Sequence, residues 1–110
     1  MTSQQTAEQD LLAIALGWRE VGQRAAIATV VSTWGSAPRP AGSLLVCNDA
    51  GQFAGSVSGG CVEIAVIEEA ADVMRSGIPK LLDYGVTDET AFSVGLACGG
   101  RIRVYIEALE

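Results

Sequence analysis

A chain of 110 residues, 49% of them hydrophobic, is the length of one domain and carries enough apolar side chains for a core of its own. Seven basic against thirteen acidic residues leave a formal charge of -6, which excludes the basic footprint of a nucleic-acid binder and any attraction to anionic membranes. Histidine is absent, which removes Ser-His and Cys-His nucleophile pairs, a histidine general base and the common His-containing zinc sites.

The chain opens on the polar stretch "MTSQQTAEQD", and the apolar run "LLAIAL" that follows is too short for a bilayer span, which takes about 20 apolar residues. Three cysteines at long spacings do not make a secreted disulfide framework, so a cytoplasmic protein is expected. Thr6 with Gln9 fits a capping box, and Leu11, Leu12, Ala15, Leu16 and Trp18 recur at helical spacing up to Gly22. "RAAIATVVSTW" (24–34) is continuously apolar and β-branched, as in a strand buried on both faces. Prolines and glycines break "GSAPRPAG" (35–42) into a loop.

"SLLVCNDAGQFAGSV" reads as a hairpin turning at Asn48–Gly51. A second helix runs over "CVEIAVIEEAADVMRSG", its charges on one side and Val62, Val66, Ile67, Ala70, Val73 and Met74 turned to the core, with Gly77 and Pro79 stopping it. "KLLDYG" is a short strand, 86–100 a loop or broken turn, and "RIRVYIEAL" a terminal strand with Ile102, Val104 and Ile106 on one face. The order α-β-β-β-α-β-β predicts an α+β fold: a small mixed β-sheet of about five strands packed with two helices in a single domain.

Two cysteines sit beside double glycines, in "GSVSGGCVE" (55–63) and "GLACGGR" (95–101). Gly59 and Gly60 let a backbone approach a ligand, and the start of the next helix offers unpaired N–H groups and a dipole that draws anions and lowers the pKa of a thiol at Cys61. Ser56 and Ser58 add hydroxyls. The P-loop, the G-x-S-x-G elbow and the G-x-G-x-x-G fingerprint are all missing. Arg39, between two prolines, and Arg101, beside Gly100, are the candidate anion clamps. Glu63 reads as a partner of the helix dipole and Cys47 as core. Two readings stand open: one pocket holding Cys61 and Cys98, or two tight turns with small buried thiols.

"ATVVSTWGSAPRPAGS", "GSVSGGCVE" and "GLACGGRIRVYIE" resemble, in this order, the N-terminal domain of the XdhC/CoxI family, accessory proteins that mature molybdenum hydroxylases such as xanthine dehydrogenase and carbon monoxide dehydrogenase. The likeness runs from about Leu11 to Glu107. It implies binding of the molybdenum cofactor (molybdopterin or its dinucleotide form) and help in its sulfuration and insertion, without catalysis. Carried over by position, Cys61 and Cys98 become the ligand-site cysteines, facing the molybdenum, with Ser58, Gly59, Gly60, Gly99, Gly100, Arg39 and Arg101 around them. Trp34, Gly35, Ser36, Pro38 and Arg39 correspond to the family's first loop. The implied partners are a molybdenum hydroxylase client and a cysteine desulfurase. Many members continue into a Rossmann-like C-terminal domain and residues 1–110 cover only the first, so either a separate Rossmann-like subunit supplies that part or the protein works alone or as an oligomer. A homo-oligomer is expected from the high apolar content. The alternatives are a thiol enzyme or sulfur carrier using Cys61, and a ligand-free structural or regulatory partner.

Overall fold

The computed structural model describes residues 3–35, 37, 39–59, 62–85 and 100–109, with side chains from residue 9 onward. The elements run α1 (Ser3–Glu20), β1 (Ala25–Trp34), β2 (Leu44–Asn48), β3 (Phe53–Gly55), α2 (Glu63–Ser76), β4 (Lys80–Gly85) and β5 (Arg101–Leu109). The five strands form one sheet in the order β3-β2-β1-β5-β4, with the two helices the sequence predicts. All four ladders are antiparallel, where a mixed sheet is expected from sequence. The reason lies in α2, which carries the chain from one edge strand, β3, to the other, β4. Those two strands run in the same direction but never pair.

Alternation along the strands divides the apolar residues between two faces. Ala28, Val30, Leu45, Ile102, Val104 and Ile106 meet α2 on one face and are buried to within 1%. Helix α2 answers with Val62, Val66, Ala70 and Val73, one stripe at helical spacing. Withdrawing each valine side chain from water contributes about 1.5–3 kcal/mol. On the other face α1 lays Leu11, Ala15 and Trp18 over Ala25, Val46 and Ala54. This helix begins at Ser3, so Thr6 of the proposed capping box lies inside it. Gly22 ends the run at φ +87, its N–H on the Arg19 carbonyl at 3.1 Å, as a left-handed cap requires.

The β2–β3 turn is tied by Asn48, whose buried Oδ1 accepts from the N–H of Ala50 and of Gln52, each at 3.0 Å. Cys47, one residue earlier, is core, and burial pushes its thiol up to about 11.

One irregularity in β1 matters for function. Residues 25–30 pair with β5 in step, but the register slips between Val30 and Ser32. A one-residue bulge sends the following side chains to the opposite face. Ser32 and Trp34 therefore leave the α2 side, where Ala28 and Val30 lie, and join Arg103 and Arg101 across the ladder.

Candidate functional site

Antiparallel pairing decides where the loops emerge. The chain leaves β1 after Trp34, β3 after Gly55 and β4 after Gly85, and enters β2 at Leu44 and β5 at Arg101, all at one end of the sheet. The three segments that carry the sequence-predicted site residues start from that end. Cys61, Cys98, Gly60 and Gly99 themselves lie outside the described residues. The exits are staggered: Gly55 stands opposite Leu45, and Leu45 opposite Ala28, six positions before Trp34. One of those positions is the bulge, so at about 3.3 Å per residue β3 ends roughly 17 Å short of the start of β5. On the α2 face, Val57 and Val62 are both buried in the core cluster that also holds Val30 and Ile102.

What holds the segment is Glu63. Its carboxylate accepts from Ser56 Oγ at 2.7 Å, from the N–H of Val57 and of Ser58 at 3.0 Å each, and from Ser58 Oγ. The serine oxygens then accept in turn. Ser56 Oγ takes the N–H of Gly59 and Ser58 Oγ that of Val62, both at 2.8 Å. Burial raises the pKa of Glu63, but the serine hydroxyls and the two backbone N–H groups together outweigh it and hold the group down at about 2.

This arrangement corrects two expectations. The loop does form an anion cradle, but an internal anion fills it. Ser58 is fully buried with its hydroxyl engaged at both ends, so it orders the loop rather than facing a ligand. The helix begins at Glu63 rather than at Cys61, and Val62, its N-cap, offers no side-chain cap. Glu63 instead binds the N–H groups of Val57 and Ser58 in the preceding loop, a larger task than that of a dipole partner. The signal was present as Ser-x-Ser followed by Glu at the helix start, a relative of the capping box at unfamiliar spacing.

A second cluster forms around β5. Trp34 lies under two guanidinium groups, 4.8 Å from Arg101 and 5.5 Å from Arg103. Asp83 on β4 bonds Arg103 Nε at 2.8 Å and Arg101 Nη2 at 3.3 Å. The Arg103 hydrogen bond comes first among the causes that hold the Asp83 carboxyl below its ordinary range. Gly35 packs against Gly100, where an added Cβ would stand 3.3 Å from the Gly100 Cα, so the first loop starts against the end of the Cys98 segment. Arg101 thus belongs to a structured group at the loop end. Arg39 is exposed, and among the described residues it has no hydrogen bond or ion pair. Sequence reasoning missed Asp83, whose partners are set by the β4–β5 register, and the role of Trp34, which depends on the bulge. No cluster of three metal-ligating side chains occurs among the described residues.

The family model for XdhC and CoxI matches residues 18–85. The chain belongs to the XdhC and CoxI family. Among curated relatives, the molybdenum cofactor insertion chaperone PaoD of Escherichia coli (strain K12) is 39% identical over 89 residues, 81% of this chain and 28% of PaoD. A probable xanthine dehydrogenase component of Bacillus subtilis (strain 168) is 32% identical, with 79% of this chain and 27% of the relative covered. A crystal structure named as a xanthine dehydrogenase from Bacillus halodurans superposes with a TM-score of 0.75 at 26% identity, over 90% of this chain and 30% of that one. The chain therefore spans less than a third of the length of these XdhC and CoxI relatives. No described helix is long and apolar enough to cross a membrane.

Proposed function

We propose that this domain is a cytoplasmic, non-catalytic module that holds the molybdenum cofactor during the maturation of a molybdenum hydroxylase. One observation carries the reading: this XdhC and CoxI chain shares 39% identity, over most of its length, with a protein named as a molybdenum cofactor insertion chaperone. The fold supports it by starting the segments that bear Cys61, Cys98 and Arg39 from one sheet end, with Arg101 at the same end. In this reading Gly59, Gly60, Cys61, Cys98, Gly99 and Gly100 line the cofactor seat and the arginines receive its phosphate. Sulfuration by a cysteine desulfurase precedes release to the client. Self-association, or a Rossmann-like partner, completes the assembly.

The rival reading, Cys61 as a thiolate nucleophile or sulfur carrier, gains less support. Glu63 places a carboxylate that stays ionised down to a pH of about 2 at the helix start, two residues along the chain from Cys61. Negative charge there offsets the helix dipole that would otherwise favour a thiolate.

Transfer is the test. The protein, loaded with cofactor under anaerobic reducing conditions, is mixed with a cofactor-free molybdenum hydroxylase, and recovered hydroxylase activity is compared with that from free cofactor. Faster or fuller recovery from the loaded protein is expected. Equal recovery from both removes the chaperone reading.

A further inference from the structure

Helix α1 packs on β1, β2 and β3, so the β4–β5 half of that sheet face has no helix laid over it among the described residues. This half is built from rows of cross-strand partners: Trp34 with Arg101 and Gly85, Ser32 with Arg103 and Asp83, Tyr105 with Leu81. It stays open to solvent, with Trp34 42% and Leu81 57% exposed.

We propose that Trp34, Arg101 and Arg103 form a tray on this bare sheet face that binds the phosphoryl group of a small ligand. The chain is acidic overall, yet here two guanidinium groups share a single carboxylate, so the tray keeps one net positive charge among the described residues. Lys80, by contrast, sits between Glu69 and Asp72 and is fully compensated. Each guanidinium has five N–H donors in a fixed fork. Asp83 engages Nε and Nη2 of Arg103 and only Nη2 of Arg101. Nε and Nη1 of Arg101 and Nη1 of Arg103 have no acceptor among the described residues. Such adjacent donors suit the several oxygens of a phosphate, and the one carboxylate position is already filled by Asp83.

The arginine positions are prepared in advance. The indole ring supports both guanidinium groups at 4.8 and 5.5 Å, and Gly85 leaves room for the Arg101 stem, since a Cβ there would stand 3.0 Å from Arg101 Cγ. The Gly35–Gly100 contact sets the tray at the end from which the loops emerge. This deepens the proposed function by assigning its phosphate contact to the tray, across the sheet end from the α2 face on which Val57 and Val62 lie, and it rests on that reading only for what the phosphate is attached to.

The chain has two tryptophans, so a nitrogen-15 spectrum contains two indole N–H signals, which Trp18→Phe assigns. Pyrophosphate titrated at fixed ionic strength is expected to shift the Trp34 signal to saturation and leave that of Trp18 unmoved. Arg103→Gln and Arg101→Gln, each checked for unchanged circular dichroism, weaken the midpoint by about tenfold through the loss of charge-assisted bonds. Asp83→Asn raises the tray to two net charges and tightens binding severalfold, which a purely structural salt bridge would not do. A Trp34 response equal for chloride and pyrophosphate, or indifferent to both arginine variants, or a weaker midpoint in Asp83→Asn, overturns the proposal. If pyrophosphate saturates Trp34 but molybdenum never binds, the tray stands and the cofactor reading falls. If molybdenum binds without moving Trp34, the tray falls.

Discussion

Replacing Glu63 probes the loop at its centre. In Glu63→Gln the side chain keeps its shape but loses its charge, while two hydroxyls and two backbone N–H groups still converge on it. The depressed pKa sets the magnitude. The carboxyl falls from its ordinary value of 4.5 to about 2 on folding, and the residue is only 7% exposed. At 1.36 kcal/mol per unit, this corresponds to about 3 kcal/mol of stability. Because the folded pKa is the lower one, that stability is complete above pH 4.5 and is lost as pH falls towards 2. Urea unfolding followed by circular dichroism, for both proteins between pH 7 and pH 2.5, measures it. Glu63→Gln should be less stable by about 2–3 kcal/mol at pH 7, with the gap closing below pH 4.5. A gap that stays constant across the range, or no gap at pH 7, would refute the cage as the source of loop order.

Formate should raise the melting temperature of Glu63→Ala more than that of the parent protein, because a small carboxylate can re-enter the emptied cradle; calorimetry at equal ionic strength reads this. Gly55→Ala should lower the melting temperature by about 4–8 °C or more, since φ there is +86 and a Cβ would collide with the Leu44 carbonyl oxygen. The native Cys47 thiol, pushed up to about 11 by burial, should resist iodoacetamide at pH 8 and react only in urea, as peptide mass spectrometry will show. Asn48→Ala should cost about 2 kcal/mol in urea unfolding, because it leaves the N–H groups of Ala50 and Gln52 without their acceptor.

Elements whose logic is local were legible in the sequence. The ranges of β4 and β5 follow from alternation, the C-terminus of α2 from Gly77, and the fate of Cys47 from its apolar strand. Features that depend on long-range register were not. Trp34, read along a continuous strand, belongs with Val30 under α2, and only the slip between Val30 and Ser32 turns it to the arginines. Glu63 was misjudged for a related reason: its partners lie five to seven residues back, and only a loop folded over the sheet brings them to one carboxylate. The all-antiparallel sheet follows from the edge-to-edge path of α2, which residue patterns do not encode.

The central claim is that the two cysteine-bearing segments hold one molybdenum cofactor between them. The direct measurement is molybdenum retained per chain after anaerobic incubation with the cofactor and gel filtration, for the parent protein and for Cys61→Ser and Cys98→Ser. The account predicts molybdenum co-eluting with the parent protein and a marked loss in each single variant, with the folded elution volume unchanged. No molybdenum on the parent protein, or undiminished retention in both variants, would contradict it.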